Sequence, residues 1–229
     1  MDLWLDFSPL VSATIYYLVT MLIVLAVTVR FRSPYFLVAF YITSYVVSQY
    51  TAPKLTLYAG FVVPGGTIPF VATLVLMDII IVYWGLGMAR QVIVAGFIAQ
   101  ILVYTGNMLI FASPDPFEGF EWKSAVYWVG ARVAVASPVA YLVTELVNAQ
   151  LTWIYRRLWW ARTLYSDPIA LVIDTLIFIP LAFYGEVPFE VLKVMVAGQT
   201  ALKLSFIPLN LAAIYVSRRI MEGRLGEHA

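Results

Sequence analysis

Two residue types that carry much of enzyme chemistry are almost missing from this chain. It has no cysteine and one histidine, His228. Without thiols there are no disulfides, zinc–thiolate sites or iron–sulfur clusters. A single imidazole near the end of the chain gives no basis for histidine triads, zincin motifs or haem ligation. Charge is scarce as well. Of 229 residues, 12% are Asp, Glu, Lys or Arg and 62% are hydrophobic, against about 25% and about 45–50% in an average soluble domain. So few charges cannot clothe a water-exposed surface, which excludes an ordinary soluble globule and a disordered chain. A net charge of +1 supplies no field to attract nucleic acid. No Walker loop is present, so the chain does not itself hydrolyse ATP. No motif for a cofactor or metal appears, and none is expected.

What is present is long apolar segments. A spanning helix needs about 20 mostly apolar residues. Seven such spans are predicted: Leu10 to Val29, Tyr35 to Tyr50, Thr67 to Trp84, Ala89 to Ala112, Ser124 to Tyr155, Pro168 to Tyr184, and Phe189 to Val216. The fold class is therefore all-α, a polytopic membrane helix bundle. Between spans two and three, Pro53, Pro64, Gly65, Gly66 and Pro69 predict irregular or re-entrant backbone, tolerated at membrane depth only where protein or a cavity lines it. The start, Met-Asp-Leu-Trp-Leu-Asp, lacks the basic residues of a cleavable signal. Trp122, Tyr127, Trp128, Trp153, Trp159 and Trp160 lie near predicted span ends, as an interfacial belt requires.

Arginines orient the chain. Arg30, Arg32, Arg90, Arg156, Arg157, Arg162, Arg218, Arg219 and Arg224 fall in one set of loops. The other set holds Lys54, Lys123 and most of the acids, with 115–123 as a solvated loop. The positive-inside rule puts the C-terminus in the cytoplasm and the N-terminus outside a plasma or inner membrane.

Five charges fall inside spans: Asp78, Arg132, Glu145, Asp174 and Lys203. Charge at mid-bilayer costs at least a few kcal/mol, faces the bundle interior and marks a path or site. In span five, Ser137, Tyr141, Glu145, Asn148 and Thr152 recur on one helical face. Gln199, Lys203 and Asn210 share a face of span seven, and Gln100, Tyr104 and Asn107 share a face of span four. These stripes could line one cavity, or could simply tie helices together by hydrogen bonds. Arg132 has two readings: an ion pair with Asp78 or Asp174, or a ligand contact. Ala95/Ala99, Ala136/Ala140 and Ala197/Ala201 suit close helix packing. Asp78 and Asp174 lack the sequence context of an aspartyl intramembrane protease, and no segment resembles a channel filter. A carrier of a small solute fits best, and an enzyme fits least. A non-transporting scaffold is the competing class.

An ordered set of residues carries a family resemblance. Ser48-Gln49, Lys54, Gly65-Gly66, Pro69-Phe70, Asp78, Gly85 and Ala89-Arg90 form its first part. Arg132, Ala136-Ser137, Ala140-Tyr141, Arg157, Arg162, Ser166, Asp174-Thr175, Phe178, Ala182-Phe183, Gly185, Lys203 and Pro208 follow. Together they resemble the queuosine-precursor transporter family, also described as vitamin-uptake-transporter-like, over about 48–208. The resemblance implies import of a 7-deazaguanine base, a precursor of queuosine or archaeosine. It also implies one transmembrane domain over 1–229: an extra N-terminal helix at 10–34, a six-helix core at 35–216, and a cytoplasmic tail at 217–229. The family often has Asn at Gln49, Gln at Glu145, Asp at Asn148, and a polar residue at Leu171.

A guanine-type edge offers two adjacent donors to a carboxylate, and its carbonyl and ring nitrogen take donors. Glu145 or Asp174 is assigned to the donor edge. Asn148, Gln199 or Lys203 serve the acceptor edge, Tyr141 or Tyr104 stacks, and Asn107 and Gln49 complete the candidate site. Asp78 and Arg132 are assigned as a gating or bracing pair. The expected partners are the solute and the bilayer. A homodimer stays open. The absence of an Ala-x-x-x-Ala pair in spans one to three argues against a separate energy-coupling ATPase module. A proton carried by a buried carboxylate, the membrane potential, or facilitated diffusion could drive uptake.

Overall fold

The computed structural model describes residues 8–31, 33–58, 60–112 and 122–225. Arg32, most of the expected loop at 115–123, and His228 lie outside the described residues. The helices are α1 (Ser8–Phe31), α2 (Tyr35–Thr51), α3 (Thr67–Ala112), α4 (Trp122–Ile154), a single turn α5 (Trp159–Ala161), α6 (Asp167–Phe183), α7 (Phe189–Ser205) and α8 (Ile207–Leu225), with a π-helical turn, Arg162–Ser166, leading into α6. Five helical stretches are long and apolar enough to cross a membrane. Their surfaces invert the soluble pattern. On α4, Val135, Val139, Val143 and Leu146 are exposed, whereas Tyr141, Glu145, Asn148 and Thr152 are buried. An apolar exterior around a polar seam suits hydrocarbon and not water. The protein is a multi-pass helical membrane bundle.

At 46 residues, α3 would run about 69 Å if straight, over twice the roughly 30 Å hydrocarbon layer. Gly85 breaks it, with φ 80° and ψ 172°, a conformation that glycine adopts without the penalty of a Cβ. The two legs lie side by side. Tyr45 of α2 meets Phe70 of the first edge-on, with centroids 5.7 Å apart. Tyr41, one turn earlier, lies against Gly96 of the second. The break thus falls between the predicted third and fourth spans. The predicted seventh span differs: it divides at Phe206 into α7 and α8. Pro208 has no N–H for the helix ladder, and the Phe206 N–H turns back to the Lys203 carbonyl at 3.2 Å. Counted as crossings, α1, the two legs of α3, α4, α6 and the α7–α8 pair correspond to six of the seven expected spans; α2, at 17 residues, is not among the stretches long enough to cross. Ala136 and Ala140 are buried as expected of packing positions, but Ala197 and Ala201 are exposed on α7.

The irregular stretch before α3 is a β-hairpin, β1 (Leu55–Tyr58) paired antiparallel with β2 (Phe61–Pro64). Gly60 in its two-residue connection has φ 85°, the left-handed conformation that tight hairpins need. The Gly65 N–H extends the pairing to the Lys54 carbonyl at 2.7 Å. Gly66 packs so closely on α2 that a Cβ would overlap the Ser48 carbonyl, and the Ser48 hydroxyl donates to Gly66 O at 2.8 Å. Across the bundle, Phe61 sits against Gly198 of α7. The hairpin therefore bridges α2 and α7 at one end, the hairpin end. The opposite end carries exposed Arg30, Arg90, Arg156, Arg157 and Arg219 and is called the arginine end.

Candidate functional site

Among the described residues six charged side chains are buried in the bundle: Asp78, Glu145, Arg162, Asp167, Asp174 and Lys203. Arg132 is not among them. Its side chain is 37% exposed and Nη1 pairs with Glu186 Oε1 at 3.0 Å, beyond the end of α6. The expected pairing of Arg132 with Asp78 or Asp174 is thus corrected. Distance is the reason for Asp78: it meets Thr152 of α4 at 2.8 Å, and Arg132 lies 20 residues, or about 30 Å, from Thr152 along the same helix.

The hairpin end holds a narrow cleft with about 30 Å³ of free volume, room for about two waters, so a larger solute enters only as the walls part. Asp174 of α6 and Lys203 of α7 line it. Their side chains join at 2.5 Å between Nζ and Oδ2. Nζ also reaches Thr175 Oγ1 at 3.2 Å and lies 4.4 Å above the Phe70 ring centroid. Gln199 donates to Thr67 Oγ1 at 3.3 Å, and its Oε1 has no partner. Thr67 in turn donates to the Pro64 carbonyl at 2.7 Å, so the hairpin and the cleft wall are one construction. Tyr45, Tyr141, Phe178, Ser48 and Ser137 complete the lining. The site has a carboxylate, an ammonium, an amide and aromatic rings around an unfilled space. It suits a flat polar solute.

Beneath the cleft three tyrosines form a layer. Tyr45 and Tyr141 meet edge-on at 4.3 Å between centroids, and the Tyr41 hydroxyl donates to that of Tyr141 at 3.2 Å. The Tyr141 hydroxyl donates to the Ile93 carbonyl at 2.9 Å, and the bare backbone of Gly96 leaves room for it. Tyr45 reaches through this layer to Glu145 Oε1 at 2.5 Å. Glu145 is fully buried, and its Oε2 has no partner.

The arginine end holds the second polar centre. Arg162 Nε lies 3.8 Å from Asp78 Oδ2. Thr152 joins Asp78 to Ser166, at 2.8 and 2.9 Å, and Ser166 donates to Asn148 Oδ1 at 2.6 Å. Asn210 donates to Asp167 at 3.3 Å and accepts from Tyr17 at 2.9 Å. These bonds tie α1, α3, α4, α6 and α8 together around the π-helical turn.

Of the expected ligand residues, Asp174, Lys203, Gln199 and Tyr141 line one cleft. Glu145 and Asn148 do not: Glu145 lies behind the tyrosines and Asn148 belongs to the arginine-end centre. Asn210 likewise leaves the face of Lys203, because the chain breaks at Phe206. Gln49 is buried away from the cleft, with Oε1 unpartnered. The side chain of Asn107 lies outside the described residues. Phe70 and Tyr45 were not singled out as site residues by spacing. Arg162 was read as a loop arginine, and Asp167 was missed at the edge of a predicted span.

Residues 64–217 match a family model described as "Putative vitamin uptake transporter". The chain belongs to that family. The matched region covers every cleft residue except Tyr45, Ser48 and Ala52. A curated relative from Haemophilus influenzae, named "Probable queuosine precursor transporter", is 31% identical over 122 residues, 52% of this chain and 51% of the relative. The match thus spans about half the length of that relative. No solved structure matches the chain. The family is the one that the ordered residues of the sequence resemble.

Proposed function

We propose that the protein is a cell-membrane carrier that imports a 7-deazaguanine base unchanged and holds it in the hairpin-end cleft. The observation that carries this reading is the Asp174–Lys203 pair, lining an unfilled cleft beside the Phe70 ring and the free Gln199 oxygen. A guanine-type edge presents a ring N–H and an amino group side by side, which the two oxygens of Asp174 can accept together. Lys203 and Gln199 serve the carbonyl and ring nitrogen, and the rings of Phe70, Tyr45 and Tyr141 wall the flat solute. With no solute, the acid and base compensate each other, as buried charges require. The name of the Haemophilus relative supports the choice of solute.

The arginine end faces the cytoplasm by the positive-inside rule, so the cleft faces outward and the arginine-end centre closes the inner side. Uptake alternates access around the Asp174–Lys203 level. The test is a thermal-shift and liposome-uptake assay of the purified chain with labelled 7-cyano-7-deazaguanine. Stabilisation and uptake by the chain alone are expected, both lost in Asp174→Ala and Lys203→Met. Undiminished binding by Asp174→Ala would remove the assignment. Binding without uptake by the chain alone would instead support a substrate-binding subunit that needs an ATPase module.

A further inference from the structure

Glu145 is the one buried acid on α4, and it is built differently from Asp174 and Asp78. Each of those has a basic partner within 4 Å. Among the described residues no salt bridge reaches Glu145. Its hydrogen-bond contact is the hydroxyl of Tyr45 from α2, and the Tyr41 hydroxyl of the same helix lies nearby. Tyr141, on its own helix, also faces it. The charged groups that act on it are Asp78 from α3 and Asp174 and Asp167 from α6, all acids. Oε2 is buried with no partner. A fixed negative charge there, without a counter-ion and beside three other acids, costs several kcal/mol. A proton on Oε2 is the smallest partner that removes that cost.

Position matters as much as charge. Glu145 lies between the cleft and the arginine-end centre, on the route that the carrier reading gives the solute. Tyr45 touches both sides: its ring lines the cleft and its hydroxyl holds Glu145 Oε1 at 2.5 Å. A solute that moves the Tyr45 ring therefore changes the hydrogen bonding of Glu145. Intramembrane acids on such routes serve proton relays in pumps and transporters.

We propose that Glu145 is the proton-carrying residue that couples uptake of the base to the proton gradient, with Tyr45 as its link to the cleft. The inference rests on the carrier reading above. In each cycle one proton from the outer solution forms an O–H bond at Oε2, and that bond breaks toward the inner solution. The base crosses unaltered, and one positive charge moves inward with it.

The test uses the purified full chain in liposomes with labelled 7-cyano-7-deazaguanine and an inward proton gradient of one pH unit. Wild type is expected to accumulate the base about tenfold above equilibrium, one proton per base. Glu145→Gln is expected to exchange base at equilibrium yet reach no accumulation under any gradient, and Glu145→Asp to regain it. Accumulation by Glu145→Gln equal to wild type overturns the proposal. So does wild-type exchange that ignores the gradient. Absence of all wild-type exchange is a different result, because it removes the carrier reading itself. If Glu145→Gln does not fold, infrared spectra of wild type in liposomes decide. A protonated-carboxyl C=O band that responds to added base and shifts in Glu145→Asp supports the proposal, and no such band overturns it.

Discussion

The two ends of the bundle hold the same kind of group, a buried acid beside a buried base, in opposite settings. At the hairpin end, Asp174 and Lys203 touch at 2.5 Å on the wall of an unfilled cleft, beside an aromatic ring and an amide oxygen with no partner. At the arginine end, Asp78 and Arg162 stand 3.8 Å apart beside two hydrogen-bonded chains, Asp78–Thr152–Ser166–Asn148 and Asp167–Asn210–Tyr17. The first pair has room to change partners. The second ties five helices together. Buried charge by itself therefore does not mark a ligand site. The free space beside it does; unpartnered polar atoms do not separate the two ends, since Asp78 Oδ2, Arg162 Nε, Asn148 Nδ2 and Asp167 Oδ1 lack hydrogen-bond partners as well. A carrier that alternates access needs one end available while the other is shut, and this difference gives each end its part.

The largest expected effect lies at the shut end. Arg162→Met removes the cation that pairs with Asp78, at about 3–5 kcal/mol. Thermal unfolding of the purified protein should show a large drop, and adding Asp78→Asn should restore much of it. A mild effect of Arg162→Met would mean that the network does not brace the fold. Next comes Asp174→Asn, expected to weaken base binding about 10–100-fold by calorimetry, from the loss of charged hydrogen bonds. Its effect on unfolding should be smaller than that of Arg162→Met, since the side chain borders the cleft. Gly66→Ala comes third. The new Cβ meets the Ser48 carbonyl, so the hairpin must shift, at about 1–3 kcal/mol of overpacking, seen as a lower unfolding temperature with weaker binding. The smallest effect belongs to Arg132→Ala. Its pair with Glu186 has over a third of each side chain exposed, and such pairs contribute about 0–1 kcal/mol. Binding should stay at the wild-type level, and a large loss would restore Arg132 to the site.

Much of this comparison was legible before any coordinates. Apolar length placed the spans, and the break at Gly85 falls in the gap that it left between two of them. Charge within apolar runs singled out Asp78, Glu145, Asp174 and Lys203, and period-four spacing put Ser137, Tyr141 and Glu145 on one face. What was hidden has specific physical causes. Arg162 follows Arg156 and Arg157 closely and was grouped with the loop arginines, and Asp167, one residue before the predicted span from Pro168, was passed over. Only the π-helical turn brings them into the interior. The partner of Arg132 is Glu186, which follows α6 by three residues, and linear spacing cannot match two loop-end groups on different helices. The hairpin strands are four residues each, too short for alternation to stand out among prolines and glycines. The division at Phe206 rests on the missing N–H of Pro208, and an apolar run through that point disguised it. Glu145 and Asn148 looked like ligand residues because they share the face of Tyr141. Their depth along α4, below the tyrosine layer, is a three-dimensional fact.

The claim that the hairpin-end pair recognises the solute is tested most directly by calorimetric titration of purified wild type and Asp174→Asn with a 7-deazaguanine and a 7-deazaadenine base. Wild type should bind the guanine-type base and discriminate against the adenine-type base, which lacks the adjacent N–H and amino donors. Asp174→Asn should lose both the affinity and the discrimination. Equal binding of the guanine-type base by the two proteins would contradict the claim.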